Sequence, residues 1–136
     1  MVTLIGMGSG RWEALSAQAQ AAVRSAGLVF GAKRLLAGLP ADCTARQFAL
    51  YQPADILEIL AQAPGQDAAV LYSGDTGFYS GASGLLTPLR ALGIPARVYP
   101  GISSIQLLAA ALGRPWQDWK LVSAHGCACD PVAQCM

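Results

Sequence analysis

Three short segments of this chain combine glycine with small polar side chains. They are Gly6-Met-Gly-Ser-Gly10, Ser73-Gly-Asp-Thr-Gly-Phe-Tyr-Ser-Gly81 and Pro100-Gly-Ile-Ser-Ser104. Glycine lets a backbone come close to a ligand, and hydroxyls with a carboxylate supply the donors and acceptors that orient one. The second segment is the richest, because Asp75, several hydroxyls and the rings of Phe78 and Tyr79 share one stretch. Each feature also has a plain structural explanation. Asp75 can cap its own turn, Phe78 and Tyr79 can pack in a core, Ser103 and Ser104 can cap a helix, and the first segment can be a tight turn that holds nothing.

Other chemistries fit less well. Gly6-Met-Gly-Ser-Gly10 lacks the last glycine of the dinucleotide fingerprint, since Arg11 follows, and no acid occurs between Glu13 and Asp42 to meet a ribose. No Gly-Lys-Ser or Gly-Lys-Thr marks a phosphate loop. His125 is the only histidine and no Gly-x-Ser-x-Gly elbow is present, so a hydrolytic triad has little support. Cys127, Cys129 and Cys135 crowd beside His125, which invites a zinc reading. A Cys-x-Cys pair is tighter than the usual Cys-x2-Cys turn, however, and no second pair balances it, which favours free thiols and no metal. A site poor in acids, bases and metals is compatible with an activated cofactor. A sulfonium methyl donor is one such cofactor, because methyl transfer to an electron-rich carbon needs orientation and desolvation more than proton transfer.

The elements that must position these segments follow from periodicity. Val2-Thr-Leu-Ile5, Leu28-Val-Phe30, Ala68-Ala-Val-Leu-Tyr72, Ala96-Arg-Val-Tyr99 and Lys120-Leu-Val-Ser123 read as short strands, with a further one near Gln47 to Leu50. Leu15, Ala19, Ala22, Val23 and Ala26 predict an amphipathic helix from Arg11 to Ser25, with Gly27 as its carboxyl cap. Further helices are expected over Lys33 to Leu39, over Pro53 to Ala63 with proline in the first turn, and over Ser83 to Leu92. Ile105 to Leu112 reads as a buried helix with a serine cap. Strands that alternate with helices and are mostly apolar on both faces predict an α/β fold, a doubly wound parallel sheet with helices on both faces. Ligands of such sheets sit at the carboxyl ends of the strands, where all three glycine-bearing segments fall.

Composition excludes several other functions. The 136 residues carry 9 Lys plus Arg against 8 Asp plus Glu, and at 12% charged with both signs interspersed there is no basic face for nucleic acid or a membrane surface. With 54% hydrophobic residues the chain can fill a core, which excludes disorder. Its apolar runs fall well short of the roughly 18–20 residues that cross a bilayer. No basic residue precedes Arg11 and Gly6 and Gly8 interrupt the first apolar stretch, so a signal peptide is not expected and the cytoplasm is the predicted location.

Taken in order, Leu4-Ile-Gly-Met-Gly-Ser-Gly10, Ser73-Gly-Asp-Thr-Gly-Phe-Tyr79, Pro100-Gly-Ile-Ser-Ser-Ile-Gln106 and Val122-Ser-Ala-His-Gly126 resemble the tetrapyrrole (corrin/porphyrin) methylase family. Gly-Phe-Tyr after Asp75, and Pro-Trp after Arg114, favour its precorrin-6Y C5,15-methyltransferase branch. The resemblance implies an S-adenosylmethionine-dependent C-methyltransferase acting on a corrin-type intermediate of cobalamin biosynthesis. It implies donor contacts from Ser9, Gly74, Asp75, Thr76, Gly77, Phe78, Ser103 and Ser104. No catalytic residue is assigned, because the electron-rich ring carbon is itself the nucleophile. Residues 1–126 are expected to form the amino-terminal α/β domain, with 127–136 a tail or the start of a second domain that completes the donor pocket. A homodimer and a companion methylase/decarboxylase are further expectations. In Gly126-Cys-Ala-Cys129 the chain departs from the arginine that relatives often place after this glycine. Two other readings remain open at this point: another methyltransferase of the superfamily, acting on porphyrin, a diphthine precursor or ribosomal RNA, and a non-catalytic domain that dimerises or binds through its apolar helices.

Overall fold

The computed structural model describes residues 1–76 and 80–120. They divide into a compact unit over Met1–Ser104 and a second unit that begins at Ile105. The first unit holds five parallel strands, β1 (Val2–Gly6), β2 (Leu28–Phe30), β3 (Arg46–Phe48), β4 (Ala68–Tyr72) and β5 (Ala96–Tyr99), in the order β3-β2-β4-β1-β5. Between them run α1 (Ala17–Ser25), α2 (Lys33–Leu36), α3 (Pro53–Gln62) and α4 (Ala82–Ala91), and α5 (Ser104–Leu112) follows β5.

Side chains alternate across each strand, so one sheet feeds two cores. Leu4, Leu28, Phe30 and Val70 face Ile56 of α3 and Leu85 and Leu89 of α4. Ile5, Val29, Ala69 and Leu71 face Ala19 and Val23 of α1 and Leu35 of α2. The expected parallel sheet with helices on both faces is therefore present. The central strands β1, β2 and β4 are buried along their whole length, whereas the edge strands β3 and β5 are partly exposed. That is why the continuous apolar runs are legible as strands and β3 is displaced slightly from the Gln47 to Leu50 expected for it.

Three expectations need correction. The helix foreseen from Arg11 is broken into a single 3-10 turn, Trp12–Ala14, and α1 proper. Ser16 causes the break, since its hydroxyl accepts from the Ala19 N–H at 3.2 Å and so starts a new helix. The Gln20 side-chain amide then donates to the Trp12 and Leu15 carbonyls at 3.1 and 3.3 Å, which satisfies the groups left at the break. Gly27 does not act as a left-handed cap, because α1 ends at Ala26 in an extended conformation. A Cβ there would stand 2.8 Å from the Gln66 Oε1, a contact the flexible Gln66 side chain can relieve. Finally, α5 was expected to be a buried helix, but only Ala109 is buried, and Leu107, Leu108 and Leu112 are 49%, 50% and 55% exposed. An apolar sequence states a preference for cover and cannot itself provide a neighbour. The strand expected at Lys120–Ser123 falls, beyond Lys120, outside the described residues.

Because Ser16 alone separates the 3-10 turn from α1, Ser16→Ala should destabilise the protein by about 1 kcal/mol, as loss of a helix amino-terminal cap typically does. Urea denaturation followed by far-UV circular dichroism measures this, with Ser16→Asp retaining most of the stability.

Candidate functional site at the carboxyl ends of the strands

The strand order places β1 between β4 and β5, so the loops after these three strands leave the sheet side by side, with neighbouring strands about 4.8 Å apart. Hydrogen bonds then join them. Gly8 N–H donates to the Gly74 carbonyl at 3.1 Å and Gly74 N–H returns a bond to the Gly8 carbonyl at 2.9 Å. Met7 N–H donates to the Tyr72 carbonyl at 2.7 Å. The third loop is tied in by Gly101 N–H, which donates to the Asp75 Oδ1 at 3.0 Å, and by the Thr76 hydroxyl, which donates to the Tyr99 carbonyl at 3.3 Å.

The backbones meet more closely than side chains would allow. A Cβ on Gly6 would stand 2.6 Å from the Gly101 nitrogen and 2.8 Å from the Gly74 carbonyl oxygen. One on Gly101 would collide with the carbonyl oxygens of both Gly74 and Gly6. Gly74 has φ +67°, a left-handed conformation that side-chain-bearing residues rarely adopt. The three loops thus form one closely packed rim at the carboxyl ends of the strands.

The sequence-predicted residues fall as follows. Ser9 is exposed on the first loop, directly after the Gly8–Gly74 bridge. Gly74, Asp75 and Thr76 form the second loop, with Thr76 buried. Ser103, 6% exposed, lies on the third loop with its Cα 3.7 Å from where a Gly74 Cβ would stand. Ser104 is exposed at the start of α5. Gly77 and Phe78 lie outside the described residues. Asp75 does not merely cap its own turn; one of its oxygens braces the third loop. It is also the sole carboxylate within the three loops, which hold no histidine, cysteine or lysine. This arrangement can bind and orient a polar molecule, and it offers no acid–base pair.

Two groups at the rim were not foreseen. Gly6 and Gly101 set the closest approach, and the signal was available, since both are glycines at the ends of adjacent strands. Tyr72 ends β4, is 7% exposed, and its hydroxyl has no hydrogen-bond partner among the described residues. Desolvation by burial pushes its phenol up from 10.0 to about 12. A cavity of about 400 Å3 lies elsewhere. It is lined by Val2, Leu60, Ile94 and Pro95 at the amino end of the sheet, and its apolar walls offer no reactive group.

Gly101→Ala should force the three loops apart because carbonyl oxygens cannot yield as a flexible side chain would. We expect a loss of about 2 kcal/mol or more in chemical denaturation, by the overpacking mechanism. Tyr72→Phe should have the opposite sign at neutral pH, a gain of about 1 kcal/mol, because an unpaired buried hydroxyl is removed. Since the folded phenol titrates above the unfolded one, the native protein should lose up to about 2–3 kcal/mol as pH rises from 10 through about 12. The Phe variant should lose less over that window, as read by denaturation at each pH.

A family model described as "Tetrapyrrole (Corrin/Porphyrin) Methylases" matches residues 1–134. The chain is 35% identical over 128 residues to the cobalt-precorrin-7 C(5)-methyltransferase of Salmonella typhimurium, covering 93% of this chain and 62% of that protein. It is 32% identical over 133 residues to the precorrin-6Y C(5,15)-methyltransferase [decarboxylating] of Sinorhizobium sp, covering 96% of this chain and 32% of that one. It thus spans less than two thirds of the length of these relatives. Among solved structures, the uroporphyrin-III C-methyl transferase of Thermus thermophilus complexed with S-adenosyl homocysteine superimposes with a TM-score of 0.64 at 25% identity, over 90% of this chain and 52% of that one. With its parallel sheet, its motifs in order and a family match along nearly its whole length, this chain belongs to the tetrapyrrole methylase family.

Proposed function

We propose that this chain is the S-adenosylmethionine-binding α/β domain of a C-methyltransferase that acts on a precorrin-type tetrapyrrole in cobalamin biosynthesis. The observation that carries the reading is the convergence of three glycine-bearing loops on one rim, packed backbone to backbone and braced by Asp75. The residues fit the donor. Polar backbone groups of the three loops and the carboxylate of Asp75 can meet a nucleoside at the rim, and the hydroxyls of Ser9 and Ser103 stand on the first and third loops. When bound, S-adenosylmethionine supplies a methyl group on a positively charged sulfur, which departs as a neutral thioether with the bonding electron pair. The chain's own task is then to hold the donor, exclude water and align an electron-rich carbon, for which proximity supplies most of the rate and no general base is required.

Ser9, Gly74, Asp75, Thr76, Gly77, Phe78, Ser103 and Ser104 are the proposed donor contacts. Asp75 has two functions on this reading, bracing the third loop and presenting negative charge to the donor's cationic end. Among acceptors we favour precorrin-6Y, in keeping with the Gly-Phe-Tyr after Asp75 and with the name of the Sinorhizobium relative. Residues 1–126 are read as the first domain of the enzyme, working in the cytoplasm as a homodimer with a companion methylase/decarboxylase activity. No described helix is long and apolar enough to cross a membrane. The exposed Leu107, Leu108 and Leu112 favour a second reading, a non-catalytic domain that dimerises or binds through α5.

Isothermal titration of the chain with S-adenosylhomocysteine separates the two. Binding that weakens about tenfold in Asp75→Ala, and less in Asp75→Asn, is the expected outcome. Absence of binding to the unsubstituted chain favours the non-catalytic reading.

A further inference from the structure

Arg34 stands beside the first loop without a charged partner. It lies on α2, which follows β2 and so occupies the same rim as the three loops. Its position is fixed by packing. Leu35 next to it is 3% exposed in the core under α1 and α2, and Gly38 presses so closely on Gly10 that a Cβ on Gly38 would collide with the Gly10 carbonyl oxygen. The guanidinium Nη1 consequently lies 3.5 Å from the Ser9 carbonyl, and 3.3 Å from where a Gly10 Cβ would stand. One long bond to a neutral carbonyl leaves the other guanidinium donors unused, although the group is built to grip a carboxylate with two parallel bonds. Neither ion pair among the described residues involves it: one joins the amino terminus to Asp67 and the other Arg24 to Asp42. Arg11 and Lys33 add charge of the same sign, against Glu13 as the only acid in the segments 6–15 and 32–39 that meet here.

A local excess of cations on a chain of net charge +1 marks one anion-receptive edge. The proposed donor is a poor match for it. Its amino-acid end carries an ammonium beside its carboxylate, so the pair is nearly neutral. A precorrin-type ring instead carries isolated acetate and propionate carboxylates around its periphery. We propose that Arg34, supported by Arg11 and Lys33, receives a peripheral carboxylate of the tetrapyrrole acceptor at the outer edge of the first loop. It is thus a specificity-determining residue, and the assignment rests on the methyltransferase reading above.

The test compares the chain with Arg34→Gln and Arg34→Lys, using two probes: S-adenosylhomocysteine by calorimetry and uroporphyrin III, an octacarboxylate, by its fluorescence. We expect Arg34→Gln to leave S-adenosylhomocysteine affinity and the thermal midpoint unchanged, while weakening uroporphyrin about tenfold and flattening its dependence on salt. Arg34→Lys should recover part of the loss, since a point charge remains but the bidentate grip does not. An unchanged uroporphyrin affinity in Arg34→Gln overturns the proposal, as does an equal fall for both probes, which would assign Arg34 to the donor. Binding of S-adenosylhomocysteine but not of uroporphyrin by the unsubstituted chain overturns the acceptor assignment alone. Binding of neither probe overturns the methyltransferase reading on which it rests.

Discussion

The rim of this molecule is held by backbone packed on backbone. Gly6, Gly74 and Gly101 come together at the ends of β1, β4 and β5 at separations that no side chain tolerates, and the arrangement of the rim follows from that contact. Parallel strands bring their carboxyl ends to the same side, but strand spacing alone would leave three independent loops. The glycines let the loops lean inward until amide and carbonyl groups pair across them. Strand order is part of the same constraint. Because β4 returns between β2 and β1, and β5 adds on the far side of β1, the first loop is flanked on both sides by the loops it must bond.

Asp75 shows how binding chemistry and architecture share one group. Its bond to the Gly101 N–H is charge-assisted and therefore stronger than the neutral bonds around it, so the second and third loops hold their spacing without a buried apolar contact between them. With one oxygen engaged by the Gly101 N–H, Asp75 serves as a brace between the loops. The absence of histidine, cysteine and lysine from the three loops is consistent with a reaction in which alignment, and not proton transfer, governs the barrier.

How much of this could be read from the sequence depended on the range of the forces involved. β1, β2, β4 and α3 are legible because local pattern and burial agree: runs apolar on both faces become central strands, and proline at the first turn marks the start of α3. The break at Ser16 was missed because the apolar spacing of Leu15, Ala19 and Val23 continues across it, and a single hydroxyl outweighed the periodicity. Gly27 is no left-handed cap because the chain turns extended at Ala26 and runs directly into β2. α5 shows the reverse case, a pattern that asks for burial which, among the described residues, only Ala109 obtains. At the site, the three loops were legible as glycine-rich turns after strands. The mutual dependence of Gly6 and Gly101, and the placement of Arg34 against Ser9, were not legible, because they exist only once the strand order is known.

The two ends of the sheet divide the physical demands. The amino end carries an apolar cleft, a salt bridge between the exposed amino terminus and Asp67, and nothing reactive, so its contribution is to burial. The carboxyl end carries Gly8, Gly10 and Gly74 in left-handed conformations, a Tyr72 hydroxyl with no partner among the described residues, and an Arg34 guanidinium outside both ion pairs found among them. Each of these reduces stability or contributes nothing to it, and they coexist because the two cores below are fully packed, with Leu4, Ile5, Phe30, Ile56 and Leu89 at 0% exposure. Within that rim the groups also divide by charge. Asp75 braces the second loop to the third, whereas Arg34 touches the first loop from α2, so on the proposed reading a cationic and an anionic ligand would meet different groups of one surface. A transfer between two such ligands needs both held at once, and holding them through different groups accomplishes that without either occupying the other's place.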